Sequence, residues 1–83
     1  MKVSILNLHC LNSLSDDQEN IAAIVSDVRL ATHGDVTVSE VTACLNELIS
    51  EGLVSQSADA SGTHWYQLTK RGREELDANW VAE

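Results

Sequence analysis

A chain of 83 residues makes one small domain, and an apolar share of 43% lets it build a core that a disordered chain could not. Thirteen acids against five bases leave a net charge of −8, which repels nucleic acid and anionic membrane at long range. No apolar run nears the ~20 residues that span a bilayer, so no membrane partner is expected.

Val3, Leu6, Cys10 and Leu14 recur at spacings of three and four, with Leu8 and Leu11 widening the stripe. They predict an amphipathic helix from Val3 to Leu14 that stops near Asn12-Ser13. Ser15-Asp16-Asp17-Gln18 has the form of a capping box, with Asp16, Asp17 and Glu19 where a helix N-terminus favours acids. It predicts a second helix that buries Ile21, Ile24, Val25 and Val28 and runs to about Leu30. Ala31-Thr32-His33-Gly34-Asp35 is the break, with Gly34 left-handed. Thr37-Val38-Ser39-Glu40 is another capping box and opens a third helix. Val38, Val41, Leu45, Leu48 and Ile49 should face inward there with Cys44, and Gly52 should end the helix.

The pattern then turns to strands. Leu53 to Ser57 and Thr63 to Leu68, joined by Ala58-Asp59-Ala60-Ser61-Gly62, predict a β-hairpin packed on the helices. Tyr66 and Leu68 should point inward and Trp65 outward, either covering the hairpin's outer face or anchoring a partner. Thr69 should cap a last helix through about Val81, with Leu76 and Trp80 one turn apart on its inner face. The expected architecture is mainly α with a small β-hairpin (α+β), one domain over residues 1–83.

Two segments carry a resemblance. Glu47-Leu48-Ile49-Ser50-Glu51-Gly52-Leu53-Val54 looks like the L-x-x-x-G-L-[VI] exit from a recognition helix. Tyr66-Gln67-Leu68-Thr69-Lys70-Arg71-Gly72-Arg73 looks like a Y-x-L-T-x-x-G-R return strand and helix start. Together they resemble winged helix-turn-helix regulators of the MarR (multiple antibiotic resistance) and PadR (phenolic acid decarboxylase) types. The resemblance implies a three-helix core, a two-stranded wing and a C-terminal helix. It also implies that Thr37 to Glu51 is a recognition helix offered to a DNA major groove, that Ala58 to Gly62 is the wing tip, and that terminal helices make a dimer.

The residues given that role are Thr37, Ser39, Glu40, Thr42, Ala43, Asn46, Glu47 and Ser50 on the helix, with Asp59, Ser61, Gly62, His64 and Trp65 in the wing. Between Leu30 and Thr69 there is no lysine or arginine, but five acids: Asp35, Glu40, Glu47, Glu51 and Asp59. Ordinary DNA binders neutralise several phosphates with basic side chains, so charge disfavours DNA here. The expected partner is a protein or a second copy of the chain. The alternatives are a DNA-binding regulator, which would use Asn46 and the basic cluster Lys70, Arg71 and Arg73, and an acidic decoy of nucleic acid. Those three bases could equally pair with Glu74, Glu75 or Asp77.

Enzyme chemistry is not expected. His9, Cys10, Cys44 and His64 lack metal-ligand spacing, no Cys–His pair is arranged for catalysis, and Gly34, Gly52, Gly62 and Gly72 read as turns or helix ends instead of a phosphate loop. No metal and no cofactor is called for. Both cysteines read as core residues. Met1-Lys2-Val3-Ser4-Ile5-Leu6-Asn7 has no signal-peptide pattern, and two cysteines are too few to staple a small secreted domain, so a reducing cytoplasm is the expected setting.

Overall fold

The structure, a computed structural model, describes residues 4–79. Helix α1 (Ile5–Ser13) starts where the Ser4 hydroxyl accepts a hydrogen bond from the Asn7 N–H at 3.1 Å, satisfying one orphan donor of its first turn. It buries Cys10 and Leu11, and Leu14 follows into the core. Val3, expected to begin the stripe, lies outside the described residues.

The capping box expected at residues 15–18 does not form, and a strand takes its place. Glu19–Asn20 is a short strand, β1, paired antiparallel with Tyr66 and Trp65 far along the chain. Helix α2 (Ile21–Ala31) begins only after it, capped by Asn20, whose Oδ1 accepts from the Ala23 N–H at 2.9 Å. Asn20 stands directly before the apolar stripe and can cap the helix while its backbone joins a sheet. Asp16, Asp17 and Glu19 therefore lie ahead of the helix, not in its first turn. At the other end Gly34 is left-handed as expected, and so is His33, at φ 58°. The Gly34 N–H reaches the Arg29 carbonyl at 2.7 Å and closes the helix.

Helix α3 (Val38–Ser50) opens on a complete capping box. The Glu40 N–H donates to the Thr37 hydroxyl, and the Thr37 N–H donates back to Glu40 Oε1 at 3.1 Å. Val41, Cys44, Leu45 and Leu48 are buried, but Val38, also expected inside, is 52% exposed. It lies at the edge of the stripe, and side chains at a helix start lean off its end, where no later turn covers them. Gly52, at φ 77°, ends the helix, with the Leu53 N–H on the Leu48 carbonyl at 2.9 Å.

Strands β2 (Val54–Ala58) and β3 (His64–Leu68) pair antiparallel from Val54 opposite Leu68 to Ala58 opposite His64. With β1 on its other side, β3 becomes the centre of a three-stranded sheet, of which the expected two-stranded wing is the β2–β3 hairpin. Tyr66 is buried and Leu68 half-buried, as alternation predicts. Thr69 then joins two elements. Its N–H donates to the Leu53 carbonyl at 3.1 Å, and its hydroxyl donates to the Gly52 carbonyl at 2.7 Å while accepting from the Gly72 N–H. That bond caps α4 (Lys70–Asn79), which buries Leu76. Gly72 is no helix end: it lies inside α4, where a Cβ would stand 2.0 Å from the Leu53 carbonyl oxygen. Trp80 and Val81, expected on this helix, lie outside the described residues.

The three helices, the Tyr66 face of the sheet and Leu76 enclose one core. Leu11, Ile24, Leu45 and Leu48 are fully buried within it, each worth about 1.5–3 kcal/mol relative to exposure. Cys10 and Cys44 are free thiols inside it, in keeping with their apolar surroundings.

Candidate nucleic-acid interface

Helix α3 buries one side and presents the other. Ser39, Ala43, Asn46, Glu47 and Ser50 are exposed along one outward face, with Thr42 half-buried at its edge and Thr37 exposed at its start. Their spacing is that of a single helical face, wide enough to enter a major groove. Glu40 is exposed too, but its carboxylate is held by the Thr37 N–H and hydroxyl at 3.1 and 3.0 Å. That leaves Glu47 as the acid of α3 without a capping role, with Glu51 exposed at the C-cap.

The wing loop is built around another carboxylate. Asp59 Oδ1 accepts from the Ser61 N–H at 2.9 Å, the Ser61 hydroxyl at 2.7 Å and the Thr63 N–H at 3.0 Å. Its Oδ2 accepts from the Trp65 indole N–H at 2.9 Å. The indole donor first, and then Ser61 and Thr63, pull the Asp59 pKa down to about 2. Gly62 turns the chain at φ 84°. Trp65 is thus half-buried, with its indole N–H bonded within the wing. His64 is exposed, with Nδ1 3.1 Å from the Gln56 amide nitrogen, which also donates to the Tyr66 hydroxyl.

Between helix and wing runs an open cleft of about 480 Å³. Val38 and Thr42 of α3 line one wall, Thr63, His64 and Tyr66 another, and Asn20, Ile21 and Ala22 at the start of α2 close it. Sequence reasoning missed Asn20, Val38 and Thr63 as cleft residues. The available signal was Asn20 itself, a cap-forming residue directly before Ile21.

The basic cluster lies elsewhere. Lys70, Arg71 and Arg73 are exposed at the start of α4. An Arg71 nitrogen sits 3.4 Å from where a Gly52 Cβ would stand, some ten residues and about 15 Å along the helix from Thr42. Arg73 donates to the Ser15 carbonyl oxygen. The cluster thus borders the C-terminal end of α3 and the loop after α1, and it does not line the cleft. Arg29, the base ahead of the base-free stretch, donates through Nε to the Val36 carbonyl at 3.1 Å. Among the described residues no group of three or more His, Cys, Asp or Glu is placed to hold a metal ion. No described helix is long and apolar enough to cross a membrane.

No protein-family model and no curated protein matches the chain. Solved structures do match it. RosR of H. salinarum is similar at 20% identity and a TM-score of 0.86, over 94% of this chain and 71% of its own. A MarR-family transcriptional regulator from Silicibacter pomeroyi is similar at 25% identity and a TM-score of 0.79, over 92% and 49%. Bacillus subtilis PadR, solved in complex with operator DNA, is similar at 21% identity and a TM-score of 0.83, over 96% and 49%. The chain has the winged-helix fold of MarR- and PadR-type regulators, and it spans about half the length of the last two proteins.

Proposed function

We propose that this chain is a DNA-binding module of a transcriptional regulator, with α3 in the major groove and the 59–63 loop against the adjacent backbone. Charge alone favours a protein partner, but the likeness to winged-helix regulators, one of them solved on operator DNA, tips the balance. Two of the five acids in the base-free stretch, Glu40 and Asp59, are held by hydrogen-bond donors of their own helix and loop. The α3 face then reads Ser39, Ala43, Asn46, Glu47 and Ser50. Asn46 can bond adenine in two places, Glu47 can accept from cytosine, and the Ala43 methyl can meet thymine. Ser61 and Thr63 hydroxyls offer neutral contacts to phosphate. The fold match to a PadR solved on operator DNA supports the same reading.

This surface recruits few phosphates by charge. Its affinity should therefore fall with salt along a log–log slope of only about −1 to −2, where a protein making six to ten phosphate contacts shows a far steeper one. Fluorescence anisotropy of the full chain on a library of duplexes, at several salt concentrations, tests this. Selected duplexes should lose about 1–3 kcal/mol of discrimination in Asn46→Ala. Failure to bind any duplex at any salt would overturn the proposal.

A second reading keeps its own support: the net charge of −8 and the absence of any base from residue 31 to 69 suit a basic protein partner on the same face. A basic partner that binds equally well after Asn46→Ala and competes with DNA would favour this reading or the decoy.

A further inference from the structure

Cys10 and Cys44 stand 34 residues apart in sequence, yet the fold buries both in one core, Cys10 from α1 and Cys44 from α3. Cys44 Sγ donates to the buried Asn7 Oδ1 at 2.5 Å, and Asn7 lies one turn before Cys10 on the same helix. The Cys44 sulfur is therefore held against α1 one turn from Cys10. They are not equivalent. Cys10 is fully buried, and Cys44 is 6% exposed at the floor of a surface cleft of about 310 Å³ whose walls include Leu6, Glu40, Ala43 and Glu47.

We propose that Cys10 and Cys44 are a redox-modification site, oxidised by a peroxide to an intramolecular disulfide that ties α1 to α3. Cys44 is the attacking sulfur, because the cleft reaches it and not Cys10. Its thiolate is also favoured: the hydrogen bond from Cys10 lowers its pKa, while the same bond and burial push the Cys10 thiol far up. The Cys44 thiolate attacks the peroxide O–O bond and forms a sulfenic acid, and the departing hydroxide takes up a proton to leave as water. The Cys10 sulfur then attacks the Cys44 sulfur, forms the S–S bond and displaces hydroxide, which leaves as a second water with the Cys10 proton. In sum, two thiols and one hydrogen peroxide give a disulfide and two waters, with two electrons passing from sulfur to oxygen.

A disulfide holds its Cβ atoms about 3.8 Å apart, closer than two thiols in mere contact require, and it takes from Asn7 Oδ1 the Cys44 thiol donor. Ala43, Asn46 and Glu47 flank Cys44 on α3. Drawing α3 toward α1 moves the outward face that carries them. That consequence rests on the DNA reading above; the chemistry does not.

The test treats the folded full chain with hydrogen peroxide, blocks remaining thiols with iodoacetamide under denaturing conditions, and reads the intact mass. The expected product is a monomer about 2 Da lighter than the reduced chain, unalkylated, with a Cys10–Cys44 cross-linked peptide and full reversal by dithiothreitol. Cys10→Ala should stop at a Cys44 sulfenic acid that dimedone captures. Two thiols still alkylated after prolonged peroxide, a disulfide between chains, or a Cys44 sulfinic acid with Cys10 intact would each overturn the proposal. In the anisotropy assay the oxidised chain should bind duplex about tenfold more weakly. Disulfide formation without a change in affinity would overturn the link to α3. Absence of duplex binding by the reduced chain would count against the DNA reading alone, with the mass result still deciding the site.

Discussion

Gly72 shows how little room one crossing in this fold leaves. Helix α4 passes over the start of β2 so closely that a methyl group at position 72 would overlap the Leu53 carbonyl oxygen at 2.0 Å. The same carbonyl accepts the Thr69 N–H, and the Gly72 N–H donates to the Thr69 hydroxyl. A side chain here cannot be absorbed by one rotamer; it must push α4 off the hairpin and break the Thr69 bonds. Gly72→Ala should cost about 3 kcal/mol, a large part of the stability of a small domain. Chemical denaturation would show the midpoint fall, and a change under 0.5 kcal/mol, within the usual range for surface substitutions, would mean that the crossing is looser than drawn. In the sequence this glycine reads as another helix end, because nothing local distinguishes a glycine that turns the chain from one that lets a remote backbone approach.

At the scale of elements, the wing depends on a single carboxylate. A hairpin alone is marginal in water, and this one is closed by Asp59, which binds Ser61, Thr63 and the Trp65 indole together. The Asp59 pKa is lowered to about 2 from its ordinary value of 3.8. Its contribution to folding is therefore present above the ordinary value and lost as pH falls through about 2. The Trp65 indole N–H resonance should keep its bonded position and slow exchange at pH 4, and Asp59→Ala should move it and speed its exchange, with the melting of the helices little changed. An indole signal unmoved by the substitution would remove Asp59 from this role. Elements of this local kind were legible in the sequence. The capping box of α3 and the left-handed Gly34 and Gly52 are each set by residues within one turn, and so is the Thr69 cap. What was hidden depends on distant partners. Glu19 and Asn20 have no strand signature, and they are a strand only because Tyr66 and Trp65 pair with them. The cleft between α3 and the wing follows from that pairing, since β1 sets the start of α2 beside β3. The meeting of Cys10 and Cys44 is equally invisible in spacing alone.

Over the whole molecule, acids outnumber bases by eight, and the fold holds together against that repulsion. Added salt at 0.1 M largely screens exposed charges more than about 10 Å apart, so the melting temperature should rise with sodium chloride well before any specific ion effect. Burial and repulsion act together on one carboxyl. Glu19 Oε2 is shielded from solvent with no hydrogen-bond partner. Burial raises the Glu19 pKa first, and Asp27 and Asp17 raise it further; once protonated, its hydroxyl can donate to Asp27. His9 and Asp16 line the same surface cleft. A carboxyl whose folded pKa lies above its unfolded value favours folding at low pH, and that advantage is lost as pH rises through the folded pKa. At pH 7 the ionised group therefore works against the fold. Glu19→Gln keeps the shape, removes the charge and supplies an amide donor toward Asp27. It should raise the melting temperature at pH 7 by a few degrees, and the gap should close below the ordinary glutamate range near pH 4. Part of the gain should vanish in high salt, because the screened part of the repulsion is then already gone. A variant that melts at the wild-type temperature at every pH would show that Glu19 and Asp27 do not oppose each other in solution. The acid excess would then act on the choice of partner and not on the fold.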